Sequence, residues 1–131
     1  MVRVYIVGQF SGNNQGGGKG VIQVLENIRI GIRAGTELLL AGFAPFCAWL
    51  DHQYFFQLRD NEHIDEGHIK AYSIEWLGQC QAVLLLNGWW YSPGAQIEVS
   101  KAKEWGIPTF NSIEEIIEWR ESINEGQEPV G

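Results

Sequence analysis

Three observations place this 131-residue chain in the α/β class, as a small parallel sheet with helices on both faces. Ala82 to Leu86 is an unbroken apolar run of strand length, the pattern of a parallel strand covered on both sides. Strand-like runs alternate with helix-length stretches along the chain, which predicts right-handed crossovers. The composition is 45% hydrophobic and 19% charged, enough apolar material for one real core and too short a chain for two. A single domain over residues 1–124 is expected, with a frayed polar tail over 125–131.

Val2 to Val7 reads as the first strand, ended by Gly8. Gln9 to Gly20 is a polar loop containing Ser11, Gly12 and the run Gly16-Gly17-Gly18. Such a loop is either a backbone cradle for phosphate or a plain connector, and it fits neither the Walker nor the dinucleotide pattern. Val21 to Ala41 predicts a long helix. Val21, Leu25, Ile28, Ile32 and Leu39 recur at near-helical spacing as its apolar face, and Gly31 and Gly35 allow close packing on the sheet. Gly42 is its expected terminator.

Phe43 to Phe46 is a short second strand, and Pro45 marks either a sheet edge or a strand end. Cys47 to Asp60 forms an aromatic loop with Trp49, Tyr54, Phe55 and Phe56. Its rings either line the core or form a platform for a flat ligand, and Asp51-His52 is either a polar handle or a surface turn. Asn61 to Gln79 predicts a helix with Ile64, Ile69, Ile74 and Leu77 inward. His63 and His68 on it are five apart, off the spacing of helical metal ligands. Ile107 to Phe110 is the fourth strand, and Asn111-Ser112 caps a last helix over Ile113 to Ile123. The order of elements gives a three-layer Rossmann/flavodoxin-like sandwich.

The central stretch runs from Gln81 to Ala102. After the buried run, Asn87-Gly88 ends the strand. Ser92 is placed to cap a helix and Pro93 suits its first position. Glu98 falls on the same face as Gly94 and Ala95, one turn earlier, so a carboxylate stands beside two small residues. The helix starts past the carboxyl end of a strand, where open α/β sheets bind ligands, and its N-terminus favours anions. A lone helix Glu is ordinarily a solvated surface residue, and the strand–loop–cap context is what argues for a functional one.

The formal net charge of −7 argues against a nucleic-acid polymer as partner and leaves room for a small anionic ligand held by local amides. No apolar run approaches bilayer length, and no basic-then-apolar segment precedes the first strand, so a cytoplasmic location and no membrane partner are expected. Cys47 and Cys80 lie in apolar surroundings without metal-type spacing and read as buried thiols. No metal or cofactor is expected.

Taken in order, Tyr5-Ile6-Val7-Gly8 with Ser11-Gly12, then Asn27 and Ala41-Gly42-Phe43-Ala44-Pro45, then Cys80 to Leu86 resemble successive pieces of the nucleoside 2-deoxyribosyltransferase-like superfamily, in particular its short phage and bacterial members. Trp89, Ser92, Gly94, Ala95 and Glu98 resemble its active-site loop and helix, and Gly106-Ile107-Pro108 its last strand. Together these cover residues 2–110. The resemblance implies cleavage of the N-glycosidic bond of a deoxynucleoside or nucleoside monophosphate. Glu98 then attacks the anomeric carbon and Tyr5 positions it. Ser11, Gly12 and Ser92 lie where phosphate-holding residues occur, and Gly8, Trp49, Ser73, Trp89, Gly94 and Ala95 complete the expected substrate site. Two positions depart from the family pattern: Ser73 stands where many members carry an Asp that serves the base, and Gln81 follows Cys80 where an Asp is usual. Asp51 is the acid expected to stand in from the opposite rim.

The expectation is therefore an N-glycosidase acting on a (deoxy)nucleoside 5′-monophosphate or nucleoside. The alternative is a non-catalytic nucleotide-binding module on the same fold, and a third reading is cleavage of a dinucleotide such as NAD. A homodimer is expected, its contact made by aromatics of the Trp49–Phe56 and Trp89–Tyr91 loops.

Overall fold

A computed structural model describes residues 1–10 and 20–126. Four strands, β1 (Arg3–Val7), β2 (Ala44–Phe46), β3 (Ala82–Leu85) and β4 (Thr109–Phe110), form one sheet in the order β2-β1-β3-β4. Every pairing is parallel. The helices are α1 (Gly20–Leu40), α2 (His52–Phe56), α3 (Glu66–Gly78), α4 (Pro93–Glu104) and α5 (Ile113–Gly126). The result is a three-layer α/β sandwich, as expected.

The period-two alternation of β1 divides the core. Val4 and Ile6 point to the layer of α1 and α5, where they meet Leu38, Phe43, Trp49 and Ile116. Tyr5 and Val7 point to the layer of α3 and α4, where they meet Leu77, Val83, Leu85, Ala95 and Val99. β1 and β3 are buried on both faces, which is why both read as continuous apolar runs. β2 lies at the sheet edge, where Pro45 leaves no ladder donor missing.

Several boundaries differ from the sequence expectation for physical reasons. Asn61 has φ +69° and Asp65 is extended, so α3 starts at Glu66 rather than Asn61. The aromatic loop contains a 3-10 turn, Ala48–Asp51, followed by α2. β4 is shorter than Ile107–Phe110 because the Ile107 amide closes the end of α4 on Ala102 O, at 2.8 Å. α5 runs to Gly126, past the expected end at Ile123. Gly42 ends α1 with φ +88°, as a left-handed terminator should.

The buried face of α1 is corrected. Asn27, Gly31, Ala34, Gly35 and Leu38 face the sheet. Of the aliphatic row Val21, Leu25, Ile28, Ile32 and Leu39, only Ile28 and Ile32 reach the core, while the other three stay exposed. Close approach decides this. A Cβ on Gly31 would overlap the Trp49 ring, so the small residues, not the large ones, bring the helix onto the sheet. A shallow groove of about 360 Å³ between Glu37, Leu40 and Ala41 at the end of α1 and Ile113, Glu114 and Ile117 of α5 lies in this layer, across the sheet from Tyr5.

Candidate functional site

Tyr5 is the centre of the site. Parallel register puts it beside Phe46 on one side and Val83 on the other, and its side chain points into the α3–α4 layer with no exposed surface. Its hydroxyl is buried and makes no complete hydrogen bond among the described residues. Glu98 and Ser73 stand close enough to influence its ionisation by hydrogen bonding, and Asp51 acts on it through charge. Burial first, and the Glu98 carboxylate second, hold the phenol well above the usual tyrosine range.

Glu98 approaches this hydroxyl because α4 packs closely on the sheet. Ala95, Val99 and Ala102 are buried against the sheet layer, and Glu98 sits between them on the helix face, half-buried. Desolvation pushes its carboxyl up to about 7, against a smaller downward pull from hydrogen bonding to Tyr5. A carboxyl in that position exchanges a proton near neutrality, which is where an acid or base catalyst works best.

Asp51 comes from the other side, at the end of the 3-10 turn that follows β2. It is half-buried, and Tyr72 donates its hydroxyl to Asp51 Oδ1 at 3.2 Å. Burial raises the Asp51 carboxyl above the usual range, partly offset by that hydrogen bond and by the neighbouring His52. Ser73, one residue on from Tyr72, donates to Ile69 O at 3.2 Å, a bond within its own helix. The sheet thus gathers Tyr5, Glu98, Ser73 and Asp51 from β1, α4, α3 and the β2 rim.

An aromatic wall completes this side; sequence singled out its Tyr5 and Tyr54 but not Phe46, Tyr72 or Trp76. Tyr5 stacks on Phe46 with centroids 5.1 Å apart, and Phe46 stacks on the exposed Trp76 at 5.8 Å. Tyr72 tilts against Phe46 at 6.0 Å and meets Tyr54 edge-on at 6.4 Å. The available signals were Phe46, one face with Tyr5 once strand register is known, and the i, i+4 spacing of Tyr72 and Trp76.

The remaining expected residues fall in three places. Trp49 lies in the opposite layer, 3% exposed, its indole against Gly31 and its Nε1 donating to Gln9 O at 3.1 Å. It is a wall of the core under α1, not of the Tyr5 site. Gly8 is wedged between Leu86 and Trp49, where a Cβ would come within 3.0 and 3.1 Å of them. Ser92, Gly94, Ala95 and Trp89 surround the start of α4. Ser92 Oγ accepts from the Ala95 amide at 3.2 Å, as a cap should. Gly94 is exposed, Ala95 is packed inward, and Trp89 is half-buried beside Trp90. Ser11 and Gly12 lie outside the described residues. Among the described residues no group of three His, Cys, Asp or Glu side chains is arranged to hold a metal ion. Among the described residues no helix is long and apolar enough to cross a membrane.

The model of a family described as a domain of unknown function (DUF4406) matches residues 51–111, a span that contains Asp51, Tyr72, Ser73, Ser92 and Glu98 and stops short of Tyr5. No curated protein and no solved structure matches the chain.

Proposed function

We propose that this protein cleaves the base–sugar bond of a nucleoside 5′-monophosphate or nucleoside, with Glu98 as the nucleophile. One observation carries the reading: a half-buried carboxyl raised to about 7 stands beside a buried tyrosine hydroxyl short of a hydrogen-bond partner, with a second raised carboxyl acting on the same hydroxyl. The matched family is related to the nucleoside 2-deoxyribosyltransferase-like proteins, which supports the same class of chemistry.

In this reading the C–N bond breaks with its electron pair leaving on the base. Glu98 captures the cationic anomeric carbon as a glycosyl ester, and water then hydrolyses the ester. A developing positive charge next to Glu98 favours its ionised form, so a carboxyl near 7 in the free protein is ionised when the sugar becomes cationic. Tyr5 holds the carboxylate in place. Asp51, kept protonated more readily than an ordinary Asp, gives its proton to the departing base. The ring wall of Phe46, Tyr72 and Trp76 offers a flat base a stacking surface.

A second reading, binding without cleavage, is favoured by Ser73. Its hydroxyl donates to Ile69 O, and no acid stands at that place in α3. The deciding experiment incubates the protein with a panel of nucleosides and 5′-monophosphates and separates released base by chromatography. Base release that disappears in a folded Glu98→Gln variant supports the enzyme. Calorimetric binding without release supports the binding module.

A further inference from the structure

Two buried side-chain polar atoms among the described residues have no hydrogen-bond partner: the Tyr5 hydroxyl and Nε2 of His52. The first belongs to the site already described. The second is carried by the residue that follows Asp51, in a pair that the sequence reads as either a polar handle or a surface turn. A surface turn would leave Nε2 to water, and here it is buried. A buried nitrogen without a partner lowers stability, and native proteins keep few of them.

The ring that carries it is fixed. His52 stacks on Phe10, with centroids 4.4 Å apart and the planes 27° from parallel. Phe10 is held in turn. Its carbonyl accepts from Asn27 Nδ2 at 3.3 Å, and the carbonyl before it, Gln9 O, accepts from Trp49 Nε1 at 3.1 Å. Asn27 and Trp49 are both buried, so the anchors do not yield. Phe10 follows the carboxyl end of β1 and His52 follows that of β2, and the two strands are neighbours. Their contact therefore lies on the rim where open parallel sheets bind ligands. Asp51, the next residue, acts on Tyr5 from the same rim. We infer that His52 is a further ligand-binding residue of the proposed site, its Nε2 held for a polar atom of the nucleoside or nucleotide. This role presupposes the substrate class proposed above. Glu98, Tyr5 and Asp51 act at the bond that breaks, whereas His52 acts in binding, so its loss should raise KM more than it lowers kcat.

Calorimetry with the tightest-binding member of the nucleoside and 5′-monophosphate panel compares the unaltered protein with His52→Phe and His52→Gln. Phe keeps a ring against Phe10 and has no nitrogen, so affinity should fall at least about tenfold. Gln can bring an amide group near the place of Nε2 and should recover most of the loss. Without ligand, His52→Phe should melt no lower than the unaltered protein, because it removes an unpaired buried nitrogen. A lower melting temperature with unchanged affinity would make Nε2 a structural group and overturn this role. If His52→Phe does not fold, imidazole nitrogen-15 shifts of the unaltered protein decide. The His52 Nε2 resonance should move on saturation with the ligand, and an unmoved resonance overturns the role. An unaltered protein that binds no member of the panel removes the proposed function and this role with it. Undiminished affinity in His52→Phe removes this role alone.

Discussion

Glu98 and Tyr5 act on each other in opposite senses: the carboxylate raises the phenol's pKa, and hydrogen bonding to the phenol lowers that of the carboxyl. Burial outweighs the second effect and leaves Glu98 at about 7 instead of the usual 4.5. A carboxyl whose folded pKa lies above its unfolded one costs stability when ionised. The cost is absent below pH 4.5, grows as the pH rises towards 7, and is constant above it. Glu98→Gln, neutral at every pH, should therefore melt with the unaltered protein at pH 4 and above it at pH 8. The gain should be on the order of 2 kcal/mol after allowance for the carboxylate's partial exposure. Thermal melts of both proteins at the two pH values measure it, and equal midpoints at pH 8 would remove the buried-carboxyl account of this site.

Tyr72 is the lever on Asp51. Its hydroxyl donates to Asp51 Oδ1 and favours the ionised form, while burial favours the protonated one. In Tyr72→Phe burial is opposed only by the neighbouring His52, so the Asp51 carboxyl should titrate at a higher pH than in the unaltered protein. Carbon-13 chemical shifts of the Asp51 carboxyl across pH 3 to about 8 follow it directly. If Asp51 is the acid, base release by Tyr72→Phe should also persist to higher pH. A downward shift of the carboxyl would mean that the Tyr72 contact is not what holds Asp51 ionised.

The sheet was legible because strand burial writes itself into apolar runs: Ala82 to Leu86 reads as covered on both faces, and β3 is buried throughout, while Val2 to Val7 reads as a strand and Val4 to Val7 of it are buried. The start of α4 was legible because Ser92-Pro93 is a local signal, and Glu98 followed from helical spacing. What escaped were relationships between distant segments. Phe46 joins the site only through its register with Tyr5, and Tyr72 only because α3 crosses the rim carrying Asp51. Trp49 was misplaced for the same reason, since nothing nearby in sequence tells which sheet face a 3-10 turn will present. The aliphatic row of α1 was misjudged because hydrophobicity was counted, whereas Gly31 and Gly35, expected from sequence to pack closely on the sheet, do so.

Those two glycines make opposite predictions. A Cβ at Gly31 would overlap the Trp49 ring, which is itself packed and bonded to Gln9 O, so the ring cannot step aside. Gly31→Ala should destabilise by about 1–3 kcal/mol through overpacking. At Gly35 the nearest neighbours, Cys47 and Ile6, would sit 3.6 Å away, an ordinary contact. Gly35→Ala should stabilise by roughly 0.5–1 kcal/mol, because Ala loses less freedom in a helix. Urea unfolding midpoints for the two variants decide it, and a stable Gly31→Ala would show that Trp49 has another place to go.

If the proposed function holds, the start of α4 decides between a nucleoside and its monophosphate. Pro93 has no N–H, and the Ala95 amide is taken by Ser92 Oγ. Among the described residues the Gly94 amide has no hydrogen-bond partner outside its helix, and a residue added there would meet nothing closer than Ser92 Oγ at 3.9 Å. That leaves an open, positively polarised helix end on the rim that carries Glu98 one turn further along. The carboxylates of a −7 chain oppose an anion in general, so any preference for phosphate has to arise from such local amides. A nucleoside 5′-monophosphate should bind at least about tenfold tighter than its nucleoside, about 1.4 kcal/mol. The advantage should shrink as salt is raised, because an exposed helix end is screened. Calorimetry on one matched pair at two salt concentrations measures both effects. Equal affinities would make the ligand a nucleoside and leave Ser92 as a cap alone.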